Sequence, residues 1–214
     1  MIRRLSAEQL QSLIRGSAVL EQDGLGPKVL RLQDGSFLKL FRKRRLFSSE
    51  TLKPYAQRFA DNAKRLQHLG FNTPQIVATY RVEDAVNGTA VHYLPLPGNT
   101  LRQTLENAEP EHQRQLVIQF GQLLGRLHEQ GVYFRSIHLG NVLVLPNAAL
   151  GLIDFADMRI ERRSLSLHMR QRNLKHMRRY EEDERWLFGL YRDALSEGYG
   201  QHAPRYVQAL LKAD

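Results

Sequence analysis

Asn141 and Asp154 stand at either end of a short apolar hairpin, Val142-Leu143-Val144-Leu145, the turn Pro146-Asn147, and the return from Leu150 to Asp154. An amide oxygen and a carboxylate are hard donors of the kind Mg²⁺ prefers. A hairpin between them lets its two ends converge on one ion. Either residue alone also reads as a capping Asn or a turn Asp. Their pairing, behind an amphipathic helix that ends in Leu127-His128, favours a shared cation. Lys39 is a second chemical signal, a lone cation inside Phe37-Leu38-Lys39-Leu40-Phe41. Phe37 and Phe41 share its side of a strand, and a buried ammonium is costly unless paired. It reads as an edge-strand Lys reaching solvent unless something anionic is there to pair with it. Gly24 and Gly26, in Asp23-Gly24-Leu25-Gly26-Pro27, form a weaker signal. They suit a loop over phosphates and equally any hairpin turn. No G-x-x-x-x-G-K-[ST] is present, so a P-loop enzyme is unsupported.

The elements that must position these residues fall into two halves. Ser6-Ala7-Glu8-Gln9 is a capping box opening a helix over about 7–15. Residues 17–41 read as an antiparallel meander, with the Asp34-Gly35 turn between its last two strands. A helix is expected over about 51–69, with Phe59, Ala63 and Leu66 on one face and Gly70 as its stop. Ile76–Tyr80 and Thr89–Leu94 read as strands, and Pro95, Pro97 and Gly98 then break the chain. Pro110 can start a helix to about residue 130, with Leu116, Phe120, Leu123, Leu124 and Leu127 facing the core. After the hairpin come a basic segment and helices at about 181–195 and 203–212. The expected fold class is α+β. A β-rich lobe with one long helix spans 1–95, and a mainly helical lobe spans 96–214.

The bulk numbers agree with a soluble globular chain of this size: 214 residues, 42% hydrophobic and 25% charged. A net charge of +9 favours anionic partners. No cysteine is present, which removes thiolate metal sites, disulfides and Cys nucleophiles. The N-terminus lacks the apolar run of a signal peptide, and no apolar stretch approaches the ~20 residues needed to cross a bilayer. Residues 159–179 carry Arg159, Arg162, Arg163, Arg170, Arg172, Lys175, Arg178 and Arg179 against Glu161 alone. Arg42-Lys43-Arg44-Arg45 forms a second basic cluster. Such segments read as solvated faces, as nucleic-acid contacts, or as seats for an anionic substrate or membrane surface.

The stretch Phe134-Arg135-Ser136-Ile137-His138-Leu139-Gly140-Asn141, followed by Asp154-Phe155-Ala156-Asp157, resembles the catalytic loop and metal-binding segment of the protein-kinase-like superfamily. There H-R-D-L-x-x-x-N precedes a hairpin ending in D-F-G. The resemblance implies ATP and Mg²⁺ as cofactors, with Asn141 and Asp154 as metal ligands. It implies Gly24, Gly26 and Lys39 at the phosphates, and the backbone near Tyr93 and Leu94 at adenine. Three departures accompany it. Ser136 replaces the catalytic Asp, and a neutral serine is a poorer base. A loose phosphoryl-transfer transition state asks more for positioning than for proton removal, and His138 or Asp157 could substitute. No clear Glu is available to pair with Lys39; Asp61 and Glu50 are the candidates. Only about 60 residues follow Asp154, too few for a full protein-kinase C-terminal lobe.

Gln57–Pro74, Leu94–Leu101 and Gly131–Val144 further resemble the lipopolysaccharide core kinase group, which phosphorylates Kdo or heptose and includes a toluene-tolerance branch. The resemblance covers about 17–195. It implies a reduced two-lobed protein-kinase-like fold and an ATP-dependent phosphotransferase acting on a lipopolysaccharide inner-core sugar, with Ser136 beside the acceptor hydroxyl. The alternative is a pseudokinase, a nucleotide-binding scaffold in envelope assembly. The implied placement is cytoplasmic, with Arg159–Arg179 meeting a lipid-linked saccharide or the inner face of the inner membrane. A nucleic-acid-binding module ranks last, because no recognised nucleic-acid motif is present.

Overall fold

The computed structural model describes residues 2–42, 53–83, 87–205 and 211. The chain divides into two compact units, Met1–Leu96 and Pro97–Asp214.

The first unit is built on a six-stranded sheet in the order β1-β5-β6-β4-β3-β2. In chain order its elements are β1 (Arg3–Leu5), α1 (Ala7–Ile14), β2 (Ala18–Asp23), β3 (Gly26–Arg31), β4 (Phe37–Arg42), α2 (Tyr55–His68), β5 (Gln75–Val82) and β6 (Asn87–Leu94). β1 runs parallel to β5 and the other neighbours are antiparallel. The Ser6 box forms as expected: Gln9 N–H donates to Ser6 Oγ at 3.2 Å and Ser6 N–H donates to Gln9 Oε1 at 3.0 Å. Alternation along the strands sends Leu30, Leu38 and Leu40 into one core with Leu5, Leu10 and Val82. α2 packs on β5 and β6, with Phe59 against Tyr93 at 5.5 Å between ring centroids.

Helix α2 begins at Tyr55, later than the 51 expected. Pro54 is its cap, with φ −58 and ψ 148, and a residue preceding proline is pushed out of the helical region. Its end is as expected. Gly70 takes φ +76, and Phe71 N–H reaches back to Leu66 O at 2.9 Å. The short strand β1 was not expected. Three residues with one inward side chain give no alternation to read.

The second unit runs β7 (Asn99–Thr100), α3 (Leu101–Glu106), α4 (Pro110–Glu129), β8 (Val132–Tyr133), β9 (Val142–Val144), β10 (Leu150–Leu152), β11 (Arg159–Ile160), α5 (Leu167–Met177), α6 (Glu181–Asp183) and α7 (Arg192–Gly200). β10, β9 and β7 form one small sheet, and β11 pairs with β8. α4 and α7 lie in backbone contact through glycines. A Cβ at Gly121 would meet Leu195 O at 2.5 Å, and one at Gly198 would strike Ile118 O.

Two expectations need correction. The helix read over 181–195 is three pieces: α6, a π-helical turn over Glu184–Leu190, and α7. Tyr191 breaks it at φ −120 and ψ 35. Its ring stacks on Trp186 and its hydroxyl donates to Gln113 Oε1 at 2.7 Å, so side-chain anchorage outweighs helical continuity. α3 was missed, although Thr100 and Gln103 form a capping box. The helix expected at 203–212 lies mostly outside the described residues, as do Lys43, Arg44 and Arg45. No helix among the described residues is long and apolar enough to cross a membrane.

Candidate active site

The chemistry-bearing loop starts where α4 stops. Gly131 turns the chain at φ +74, with no room for a Cβ beside the carbonyl oxygens of Arg163 and Glu161. β8 follows, and then Phe134–Ile137 closes a turn through Ile137 N–H to Phe134 O at 3.1 Å. Leu139–Asn141 is one turn of 3₁₀ helix. His138 caps it, accepting Gly140 N–H on Nδ1 at 3.1 Å.

This loop is tied at several atoms. Asn141 Nδ2 donates to Ser136 O at 2.8 Å, which leaves Oδ1 as the amide atom able to face a cation. Leu139 N–H donates to Asp183 Oδ2 at 2.8 Å, and Arg102 Nη2 donates to Asp183 Oδ1 at 2.7 Å. The fully buried Asp183 thus holds the loop backbone from α6. In the sequence it sits inside the acidic run Glu181-Glu182-Asp183-Glu184, which reads as a solvated helix start, so its role left no signal there.

The hairpin β9–β10 brings its ends together as its register requires, Val142 opposite Leu152. Beyond it, Ile153 N–H donates to Asn141 O at 3.0 Å, so the residue before Asp154 is bonded to Asn141 itself. Asp154 takes φ +53, a left-handed backbone rare for a non-glycine residue. Such strain is concentrated at functional sites. Its charge acts on both Asp157 and His138, which places the acids and the imidazole in one cluster.

Ser136 Oγ donates to Asp157 Oδ1 at 2.8 Å. Burial pushes the Asp157 carboxyl up from its ordinary range; the Ser136 bond opposes that, and Asp154 adds to it. Burial pushes His138 down, while Asp183 opposes and Arg102 assists. The His138 ring packs against Tyr180 at 4.5 Å between centroids.

Ser136, His138, Asn141, Asp154 and Asp157 therefore gather in the second unit. One amide oxygen and one carboxylate are hard donors that would suit Mg²⁺. Among the described residues no cluster of three or more His, Cys, Asp or Glu could form an all-protein metal cage.

The other residues singled out from the sequence lie in the first unit. Lys39 is 9% exposed on β4, between Val29 of β3 and Val91 of β6. The strand is interior to the sheet, which removes the edge-strand reading. Gly24 and Gly26 shape the β2–β3 turn, Gly26 at φ +111. Arg42 Nη2 holds that turn through Gly26 O and Pro27 O, both at 2.7 Å. The Tyr93 ring is buried against Phe59 and Phe37, and its backbone lies in the sheet between Phe37 of β4 and Ile76 of β5. Leu94 is exposed at the end of β6, past the last β4 pair, Phe37 with Tyr93. Asp61, a candidate partner for Lys39, is engaged by Lys53 Nζ at 2.6 Å and Gln57 Nε2 at 2.8 Å. Glu50 lies outside the described residues.

The basic segment is not uniformly a surface. Arg170 is 1% exposed, bonded to Glu129, Tyr199 and Leu165 O. Arg178 pairs with Glu184 at 2.5 Å and lies over the Phe188 ring. Arg159, Arg162, Arg163, Arg172, Lys175 and Arg179 are exposed.

No curated protein matches the chain. The family of lipopolysaccharide kinases (Kdo/WaaP) matches over residues 14–197, a span holding both the six-stranded sheet from β2 onward and the loop just described. The α+β architecture is accordingly that of a reduced protein-kinase-like fold. By that match, the chain belongs to the lipopolysaccharide kinase (Kdo/WaaP) family.

Proposed function

We propose that this protein transfers the γ-phosphoryl group of ATP to a hydroxyl of a lipopolysaccharide inner-core sugar, Kdo or heptose, using a Ser136–Asp157 pair where related loops carry a single Asp. The family supplies the coarser statement, a kinase with a saccharide substrate. The observation that carries the finer one is the 2.8 Å bond from Ser136 Oγ to Asp157 Oδ1, inside the loop that also holds Asn141.

The acceptor hydroxyl attacks the γ-phosphorus, the bond to the bridging oxygen of ADP breaks, and one proton must leave. Ser136 Oγ accepts that proton while its own passes to Asp157 Oδ1. A half-buried carboxylate whose pKa is raised, as that of Asp157 is, is a better base than a freely exposed one. Asn141 Oδ1 and Asp154 would hold Mg²⁺, which when bound neutralises phosphate charge. Lys39, with the Gly24–Gly26 turn, would bind phosphate oxygens in the same role as the strand Lys of kinases. The backbone at Tyr93 and Leu94 would meet adenine. His138 keeps the loop in shape through Gly140.

Support for an anionic acceptor comes from Arg179, Arg135 and Arg172. Burial first, and then these three charges, push the His176 imidazole down, while the Asp157 charge opposes. Of the three, Arg135 also acts on Asp157 itself, and together they suit a phosphorylated, lipid-linked saccharide. The exposed Arg159, Arg162, Arg163 and Lys175 extend the same charge toward an anionic leaflet, as a cytoplasmic protein peripheral to the inner face of the inner membrane would need. The Phe134-Arg135-Ser136 variant fits a toluene-tolerance-like branch.

A second reading, a pseudokinase that binds nucleotide as a scaffold, draws on Ser136 itself, a neutral group where the base is expected. Purified protein given MgATP and a Kdo–lipid A or heptosylated acceptor separates the two. Label on the saccharide, lost in Asp157→Asn, supports transfer. Tight MgATP binding with no labelled saccharide supports the scaffold.

A further inference from the structure

Behind the loop lies a polar chain that transfer chemistry does not use. Glu129, at the end of α4, accepts Arg170 Nη2 at 2.6 Å, and Arg170 Nε donates to Leu165 O at 2.8 Å. Arg170 Nη1 meets Tyr199 OH at 3.1 Å. Tyr199 OH meets His128 Nδ1 at 3.0 Å, and His128 Nε2 meets Asn173 Oδ1 at 3.2 Å. Asn173 Nδ2 donates to Phe134 O at 2.8 Å. Arg170, His128, Asn173 and Tyr199 are each at most 1% exposed.

The direction of every link is forced. The Phe134 carbonyl can only accept, so Asn173 Nδ2 faces it and Asn173 Oδ1 accepts the His128 Nε2–H. The buried neutral imidazole then has its lone pair on Nδ1 and accepts the Tyr199 hydroxyl proton. Tyr199 oxygen in turn receives the Arg170 guanidinium, which has no acceptor. The Phe134 carbonyl also accepts Ile137 N–H, and Ser136 is the third residue of the turn so closed. A chain of donors, all pointing one way, runs from a charged guanidinium to the oxygen about which the Ser136 turn folds.

We propose that Arg170, Tyr199, His128 and Asn173 are positioning residues, a one-way hydrogen-bond chain that fixes the Phe134–Ile137 turn and with it the direction of the Ser136 hydroxyl. The proposal rests on the transfer reading only for its effect on turnover. Apolar side chains of the same volume would stabilise this core at least as well, because buried polar chains give up solvation for geometry. The geometry gained is that of one carbonyl. With Asp183 on Leu139 N–H, it fixes the loop on both sides of Ser136.

The test uses the full chain and two variants, Tyr199→Phe, which removes the hydroxyl link, and Asn173→Asp, which removes the donor to Phe134 O. Leu174→Ala, a buried neighbour on α5 outside the chain, controls for general loosening. Nitrogen-15 imidazole spectra of the unaltered protein are expected to show His128 protonated on Nε2. Ile137 amide exchange is expected to rise at least about tenfold relative to the Leu174→Ala control in both variants. The turnover number for saccharide phosphorylation is expected to fall about tenfold with KM for MgATP unchanged, while Leu174→Ala keeps its turnover number. A His128 proton on Nδ1, or Ile137 exchange no faster than in the control, overturns the chain whether or not the protein is a kinase. Faster exchange with an unchanged turnover number overturns its positioning role. Absence of transfer in the unaltered protein sinks the kinase reading and leaves the first two readouts to decide the chain.

Discussion

Asp183 Oδ2 accepts the backbone N–H of Leu139 at 2.8 Å, so a carboxylate on α6 holds the loop that carries Ser136 and Asn141. Its other oxygen receives Arg102, which also pairs with Glu182 at 2.8 Å. Asp183→Ala would leave the buried Leu139 amide without its acceptor and Arg102 with Glu182 alone. The expected loss is ~3 kcal/mol of unfolding free energy in urea titrations. Asp183→Asn, which can still accept at one oxygen, is expected to lose less than half of that.

The second expectation concerns pH. His128 is pushed down to about 3, chiefly by burial; the Asn173 bond opposes this and the Arg170 charge assists. The unfolded chain takes up that proton near pH 6.5, and the folded chain does not until about pH 3. The stabilisation is therefore fully present above pH 6.5. It is lost as pH falls toward 3, at up to ~1.4 kcal/mol per pH unit. His128→Gln has no such proton. The difference between the two stability curves is expected to be flat from pH 8 to 7 and to slope between 6 and 4.5. Parallel curves would contradict the buried neutral imidazole.

A third concerns the α4–α7 contact. Gly198→Ala forces a methyl group against Ile118 O and the Gln122 N–H beside it. Overpacking of this kind costs about 1–3 kcal/mol. Gly24→Ala, where nothing lies within 4 Å of the added carbon, is expected to leave the urea midpoint within error.

In the first unit, Lys39→Ala is expected to weaken MgATP binding by about tenfold or more, the scale of one charge-assisted phosphate contact. Isothermal titration with and without Mg²⁺ checks this. Lys39→Arg is expected to recover only part of the affinity, because a forked guanidinium does not fit a place shaped for a point charge on a crowded strand.

Local chemistry made much of this legible in advance. The Ser6 box, the Gly70 stop, Pro110 at the start of α4 and the hairpin between Asn141 and Asp154 each depend on a few adjacent residues, and each formed. The loop residues converge because the hairpin register demands it. The interruption at Tyr191 was hidden, because it depends on Trp186 and on Gln113, which is 78 residues away. Asp183 and Asn173 were hidden for the same reason. Their partners are backbone atoms 44 and 39 residues distant, and no spacing rule connects them. Arg170 looked like one more surface cation, since sequence order does not reveal that α5 turns that position into the core.

The activity proposed for the centre holding Asn141, Asp154, Ser136 and Asp157 is transfer of phosphate onto a core sugar. Its most direct test gives γ-labelled ATP, Mg²⁺ and a defined inner-core acceptor to the purified protein and counts label on the saccharide. Mg²⁺-dependent labelling is expected, disappearing in Asp154→Ala and falling about 10²-fold or more in Asp157→Asn. Equal labelling by the unaltered protein and Asp154→Ala, or MgATP bound with no label passed on, would contradict it.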